Sequence, residues 1–279
     1  MIAVLGGLGA AVCWAGASLC AARASRLIGA RAVLGWVMLV GFAVVAPLTV
    51  AAGIPEGLGA REIGWIAAAG AGNVAGLFCS YEAMRIGRVS LVTPILSTEG
   101  AIAAVLAVTT GEALGAGSTL LLAAIAGGVV LASSTASAET GQPLRATLLA
   151  CAAAGCFGVS LFATARVSQS LPLVWALIPA RLVGVAVITL PTWAAGRLRL
   201  TRTAAPLVVI SGLCEVGGFA SYALGARHGI AVAAVLGSQF AAIAAVAAYF
   251  LFRERLRPLQ IGGVVTIAVC VAVLSGVRA

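Results

Sequence analysis

Residues 96–108 read LSTEGAIAAVLAV. Without Glu99 this is an apolar run suited to lipid. A charged group in hydrocarbon costs about 2.5–3.5 kcal/mol on insertion scales, so Glu99 has to face a cavity, a polar partner or water. The stretch also recurs in altered form: LSTEGA starts at Leu96 and LGSQFA at Leu236, 140 residues later. The fold turns on this pair, because it implies that the run lies in a membrane and that the chain repeats itself.

Composition carries the first point. The 279 residues are 62% hydrophobic and 9% charged, with a mean hydropathy of +1.14, whereas soluble domains carry about 25% charged residues. So little charge cannot clothe a water-facing surface, and a multi-span membrane protein follows. A net charge of +9 would point to nucleic acid in a soluble protein. Here the arginines stand in ones, twos and threes between apolar spans, as loop anchors do, so the expected partner is the lipid bilayer and not nucleic acid. The cysteines (Cys13, Cys20, Cys79, Cys151, Cys156, Cys214 and Cys270) fall inside apolar runs without a CxxC pair and read as small buried side chains, not disulfides or metal ligands. At the N-terminus the first arginine, Arg23, follows the apolar core instead of preceding it, which predicts a retained first span and not a cleaved signal.

Ten apolar windows of the length a helix needs to cross hydrocarbon lie near 2–22, 32–52, 62–84, 89–110, 116–137, 146–166, 172–195, 206–226, 230–252 and 258–277. Continuous runs of this length are helices, since barrel strands are shorter and alternate. The repeat extends well beyond residue 96. GASLCAARAS at Gly16 matches GVSLFATARVS at Gly158, SYEAMRIG at Ser80 matches SYALGARHG at Ser221, and GEAL at 111–114 is echoed by RERL at 253–256. The expected fold is therefore all-α, with ten transmembrane helices in two five-helix repeats, 1–138 and 146–279, joined by a linker at 139–145. Five is odd, so the second copy enters from the opposite side, an inverted-topology duplication with its site near the midplane. Twelve arginines fall in the loops after the odd-numbered spans and four on the other side, which puts the first group in the cytoplasm and both termini outside.

The paired blocks SYEAMRIGRVSLVTPILSTEGAIAAVLAVTTGEAL and SYALGARHGIAVAAVLGSQFAAIAAVAAYFLFRERL, each followed by a glycine-bearing last span (Gly127–Gly128 and Gly262–Gly263), resemble the drug/metabolite transporter superfamily, in particular its EamA-like ten-helix members. The resemblance implies export of amino acids, other metabolites or drugs, with some members carrying solutes inward. It also implies termini in the cytoplasm, opposite to the arginine count. The chain departs from the pattern at Gly100 and Phe240, where proline is frequent, and at Ala113, where arginine is usual.

The polar residues inside spans are the candidate pathway. Ser97 and Glu99 in span 4 have repeat mates Ser238 and Gln239 in span 9, with 239 pairing 99 at the 140-residue offset. Asn73 in span 3 corresponds to Glu215 in span 8; Asn73, Gly76 and Ser80 share one helical face, as do Glu215, Gly218 and Tyr222. Those glycines either leave room for a solute or let helices approach closely. Tyr81 adjoins the first face. Arg181, the one cation well inside a span, either pairs with Glu215 or Glu99 or holds a solute carboxylate in its two-pronged fork. Trp14 and Trp175 lie deep enough to stack on a flat or apolar solute; Trp65 and Trp193 fall near span ends, where indoles favour the interface. Glu99 and Glu215 are proton-coupling candidates, because a carboxyl group in low dielectric favours its neutral form; the competing reading is a structural carboxyl. Glu112 and Glu254 sit beside turns and read as caps or loop pairs.

No GxSxG, HExxH or phosphate-loop motif occurs, so no enzyme activity, cofactor or ATP drive is expected. The sequence reads as a secondary transporter of the cell inner membrane, a monomer or homodimer, moving a small organic solute outward. A multidrug exporter or a metabolite importer is the alternative within transport, and a non-transporting membrane subunit or an intramembrane enzyme the alternative outside it.

Overall fold

A computed structural model of the chain describes residues 1–86, 92, 95–133, 144–240, 242, 243, 258, 259, 261–263, 265, 266, 269, 270 and 273, without the side chains at 22, 81, 84, 85, 129, 132 and 133. Every regular element among the described residues is helical. The helices are α1 (Ile2–Ile28), α2 (Ala30–Ala52), α3 (Ala60–Ile86), α4 (Glu99–Thr109), α5 (Ala116–Ser133), α6 (Leu144–Ser170), α7 (Leu173–Ala194, with a π-helical stretch at Val185–Thr189), α8 (Ala205–Ala226) and α9 (Ile230–Gly237). Six described segments are long and apolar enough to span a bilayer: α1, α2, Ala60–Ser80 of α3, α6, α7 and α8. Glu99–Thr109 and Ala116–Gly128 are shorter apolar helices. Half of the expected tenth span, the end of the ninth, most of the start of the fourth and most of the linker lie outside the described residues.

These helices are apolar on both sides. Leu5 and Val12 of α1, Leu148 and Val159 of α6 and Leu213 of α8 point outward and are exposed, while the interior is filled by small residues such as Ala10, Ala103, Ala165 and Ala234. An outward apolar face has no use in water and is matched to lipid. Where lipid is as apolar as the protein, helices associate by close packing of small residues. At the α1–α8 crossing a Cβ on Gly6 would sit 2.5 Å from the Gly225 Cα, so only glycine fits. Gly29 and Gly53, with φ of 85° and 68°, end α1 and α2 in the left-handed region that glycine adopts without a Cβ clash.

The packing has a definite pattern. α1 runs along α8 and meets α9; α6 runs along α3 and meets α4. α2 lies against α7 and α8, α7 against α2 and α3, and α4 crosses α9. Hydroxyls bind helices together across these seams: Ser160 Oγ donates to the Ala69 carbonyl at 2.7 Å, Ser211 Oγ to Ala17 at 3.0 Å, and Tyr222 OH to Leu161 at 2.9 Å.

The described parts of spans 4 and 9 each carry a tightened turn. The first tightens at Ser97–Thr98 and the second at Ser238–Gln239, with Thr98 N–H bonding to Ile95 and Gln239 N–H to Leu236, three residues back instead of four. The cause is local: Thr98 Oγ1 donates to the Ile95 carbonyl at 2.7 Å and Ser238 Oγ to Val235 at 2.9 Å, competing with the helical ladder. The two helices cross at these tightened turns, where a Cβ on Gly100 would lie 2.6 Å from Ser238 Oγ.

Candidate functional site

At the middle of the bundle lies a cavity of about 160 Å³. Its floor and walls come from α1 (Trp14, Ser18), α3 (Asn73, Leu77), α4 (Glu99), α6 (Phe157, Ser160, Leu161), α8 (Glu215, Phe219) and Phe240 just beyond α9. Trp14 is about 18 Å along the axis from the start of α1 and about 21 Å from its end, at 1.5 Å per residue, so the cavity sits near mid-depth.

Glu99 occupies the first position of α4. It is 8% exposed, and among the described residues its carboxylate makes no hydrogen bond and no ion pair. Glu215 is partnered: its Oε1 lies 3.8 Å from Arg181 Nη1. Arg181 is 1% exposed and stands behind the cavity wall, its guanidinium 5.2 Å from the Phe219 ring centroid and 3.7 Å from Met38 Sδ. A Cβ on Gly41 would approach Arg181 Cδ to 2.9 Å, so α2 leaves just enough space for that side chain. Asn73 is 5% exposed on the wall, and its Oδ1 has no hydrogen-bond partner. Trp14 is fixed by an edge contact to Phe219 at 5.2 Å and another to Phe240 at 6.4 Å, and its Nε1 has no partner.

Of the residues expected from the sequence, Trp14, Asn73, Glu99 and Glu215 therefore lie on one cavity. Arg181 reaches it only through Glu215 and Phe219. Ser97, Ser238 and Gln239 are buried at the α4–α9 crossing, beside the cavity and not on it. Gln239 Nε2 has no partner there. Tyr222 is fully buried with its hydroxyl donated to Leu161, tying α8 to α6. Ser80 donates to the Leu77 carbonyl of its own helix at 2.9 Å. Trp175, expected deep, sits in the first turn of α7 with its Nε1 donated to the Gly53 carbonyl at 3.2 Å, near the end of α2 and away from the cavity. The Tyr81 side chain lies outside the described residues. The facing glycines serve close packing: a Cβ on Gly76 would meet the Phe157 ring at 2.6 Å and one on Gly218 would meet Trp14 Nε1 at 2.5 Å. Glu112 is a cap, as expected, accepting from the Ile230 and Ala231 N–H groups at 2.9 and 3.3 Å at the start of α9; Glu254 lies outside the described residues.

Ser18, Leu77, Phe157, Ser160, Leu161, Phe219 and Phe240 were not singled out from the sequence. A signal was available in the repeat register. Ser18 and Ser160, Asn73 and Glu215, and Leu77 and Phe219 are each 142 residues apart, so one half's wall residues name the other's.

A bundle of apolar helices around a buried mid-depth cavity lined by polar and aromatic side chains defines a multi-pass membrane protein with an internal cavity. The model of the EamA-like transporter family matches residues 1–134, consistent with the resemblance to the drug/metabolite transporter superfamily. No curated protein matches the chain. A solved crystal structure of a protein is similar over 99% of this chain and 96% of its own, with a TM-score of 0.81 and 17% sequence identity; at that identity the likeness is one of fold.

Proposed function

We propose that the protein is a secondary transporter of the inner membrane that carries a small organic solute outward by alternating access between two inverted halves, 1–138 and 146–279. The observation that carries this is a mid-depth cavity built from both halves by residues in register with one another. Helix packing supports it. Exchanging α1 with α6, α2 with α7, α3 with α8 and span 4 with span 9 turns the α1–α8 and α1–α9 contacts into α6–α3 and α6–α4, and returns α2–α7 and α4–α9 to themselves. That exchange fits halves related by a two-fold axis, the arrangement in which rocking one half against the other would expose a central site to alternate sides. The matched EamA-like residues, 1–134, nearly coincide with the first half. The outward direction rests on the family resemblance. Glu99 and Glu215 are the groups available for proton coupling.

The test is counterflow and uptake in proteoliposomes with a panel of amino acids and organic cations, with and without a proton gradient. Saturable flux that responds to the gradient and is lost in Glu99→Gln is expected. Flux and gradient response that persist unchanged in both Glu99→Gln and Glu215→Gln would refute the assignment.

A further inference from the structure

Building on the transporter reading above, we infer that the cavity selects a small organic monocation, an ammonium group on a body about one aromatic ring in size, over α-amino acids and anions. Among the described residues, the acidic and basic side chains at the site are Glu99, Glu215 and Arg181. Arg181 and Glu215 neutralise each other at 3.8 Å. Glu99 is left without a counter-charge, its carboxyl group buried on the wall with neither hydrogen bond nor ion pair among the described residues. A buried carboxylate of this kind calls for one opposite charge and N–H donors.

The rest of the wall agrees. Asn73 Oδ1 is a buried acceptor without a donor. Trp14, Phe157, Phe219 and Phe240 surround the same space, and aromatic faces attract a cation held within about 6 Å of the ring while offering nothing to an anion. The volume of about 160 Å³ is close to the apolar cavity of about 150 Å³ that accepts benzene in another protein. An α-amino acid would add a carboxylate. Among the described residues no unpaired cation borders the cavity, since Arg181 is 1% exposed and already engaged, so that carboxylate would find no cation to pair with and would lie beside Glu99.

Calorimetric titration of the full chain in nanodiscs at neutral pH, with benzylammonium, benzyl alcohol, benzoate and phenylalanine, tests this. Benzylammonium is expected to bind at least about tenfold more tightly than the other three and to lose about tenfold or more in Glu99→Gln. Trp175→Phe is expected to leave it unchanged. Equal affinities across the four ligands, a preference for phenylalanine or benzoate, or undiminished binding to a folded Glu99→Gln overturns the inference. Should Glu99→Gln fail to fold, the wild-type ligand series decides alone. The readout is binding, so the two readings fail separately. Benzylammonium that binds but is never moved refutes transport of that cation; flux of another solute without benzylammonium binding refutes only the choice of cation.

Discussion

Removing either partner of the Arg181–Glu215 pair should cost stability unequally, and the inequality follows from where each side chain sits. At 3.8 Å two unit charges attract by about 4 kcal/mol at an effective dielectric near 20. Arg181 is 1% exposed, with the Phe219 ring and Met38 sulfur beside it; Glu215 keeps 23% of its side chain exposed along the cavity. Glu215→Gln strands a fully enclosed cation and should cost about 3–5 kcal/mol. Arg181→Met strands a carboxylate that still borders a polar cavity and should cost less, about 1–3 kcal/mol. The double variant removes both charges and should recover much of the loss, giving a coupling energy of about 2–3 kcal/mol. Its net charge at the cavity equals the wild type's, so the preference for a cation should survive. Equilibrium unfolding in mixed micelles across the four proteins measures the cycle. A coupling below about 0.5 kcal/mol, the scatter of independent sites, or a greater loss in Arg181→Met than in Glu215→Gln, would refute the reasoning.

Glu112→Ala removes the acceptor for two N–H groups at the start of α9 and should lower stability by about 0.5–2 kcal/mol, read as a drop in Tm; an unchanged Tm would show that the cap contributes nothing. Gly218→Ala drives a Cβ to within 2.5 Å of Trp14 Nε1 and should cost about 1–3 kcal/mol by overpacking, whereas Gly64→Ala, with nothing within 4 Å, should stay within about 0.5 kcal/mol; the same unfolding assay compares them. On the proposed reading, a proton and an organic cation would compete for the Glu99 carboxylate, whose ionisable neighbour Glu215 is itself held by Arg181. Acidifying the loading side should therefore weaken cation binding and alkalinising it should strengthen binding, and Glu99→Gln should flatten the titration. Trp14→Leu should reduce cation binding about tenfold by removing an aromatic wall, while Trp175→Phe should not, because Trp175 sits against Gly53 and not the cavity.

Much of the site was legible because the sequence states the same thing twice. Glu99 stands out as a carboxylate in an apolar run, and Asn73 and Glu215 as register mates inside spans. The aromatic wall was not legible: Phe157, Phe219 and Phe240 are ordinary core residues in any apolar helix, and only a cavity distinguishes them. The turns at Ser97–Thr98 and Ser238–Gln239 escaped notice for a related reason. Hydropathy measures whether a segment prefers lipid, and a hydroxyl that bonds a carbonyl three residues back tightens the backbone without changing that preference.

The sequence alone determined that the chain lives in lipid, that its elements are helices and that its charged residues inside spans are few, since each of these follows from composition and the cost of an unsatisfied backbone in hydrocarbon. Only the tertiary structure decided which carboxyl group is left without an ion-pair partner among the described residues. Arg181 could have met either glutamate by sequence, and the packing of α7 against α2 and α8 gave it to Glu215, leaving Glu99 alone on the wall. Charge pairing depends on distances of a few ångströms between helices remote in the chain, and those distances are set by how glycines such as Gly41 and Gly218 let the helices close.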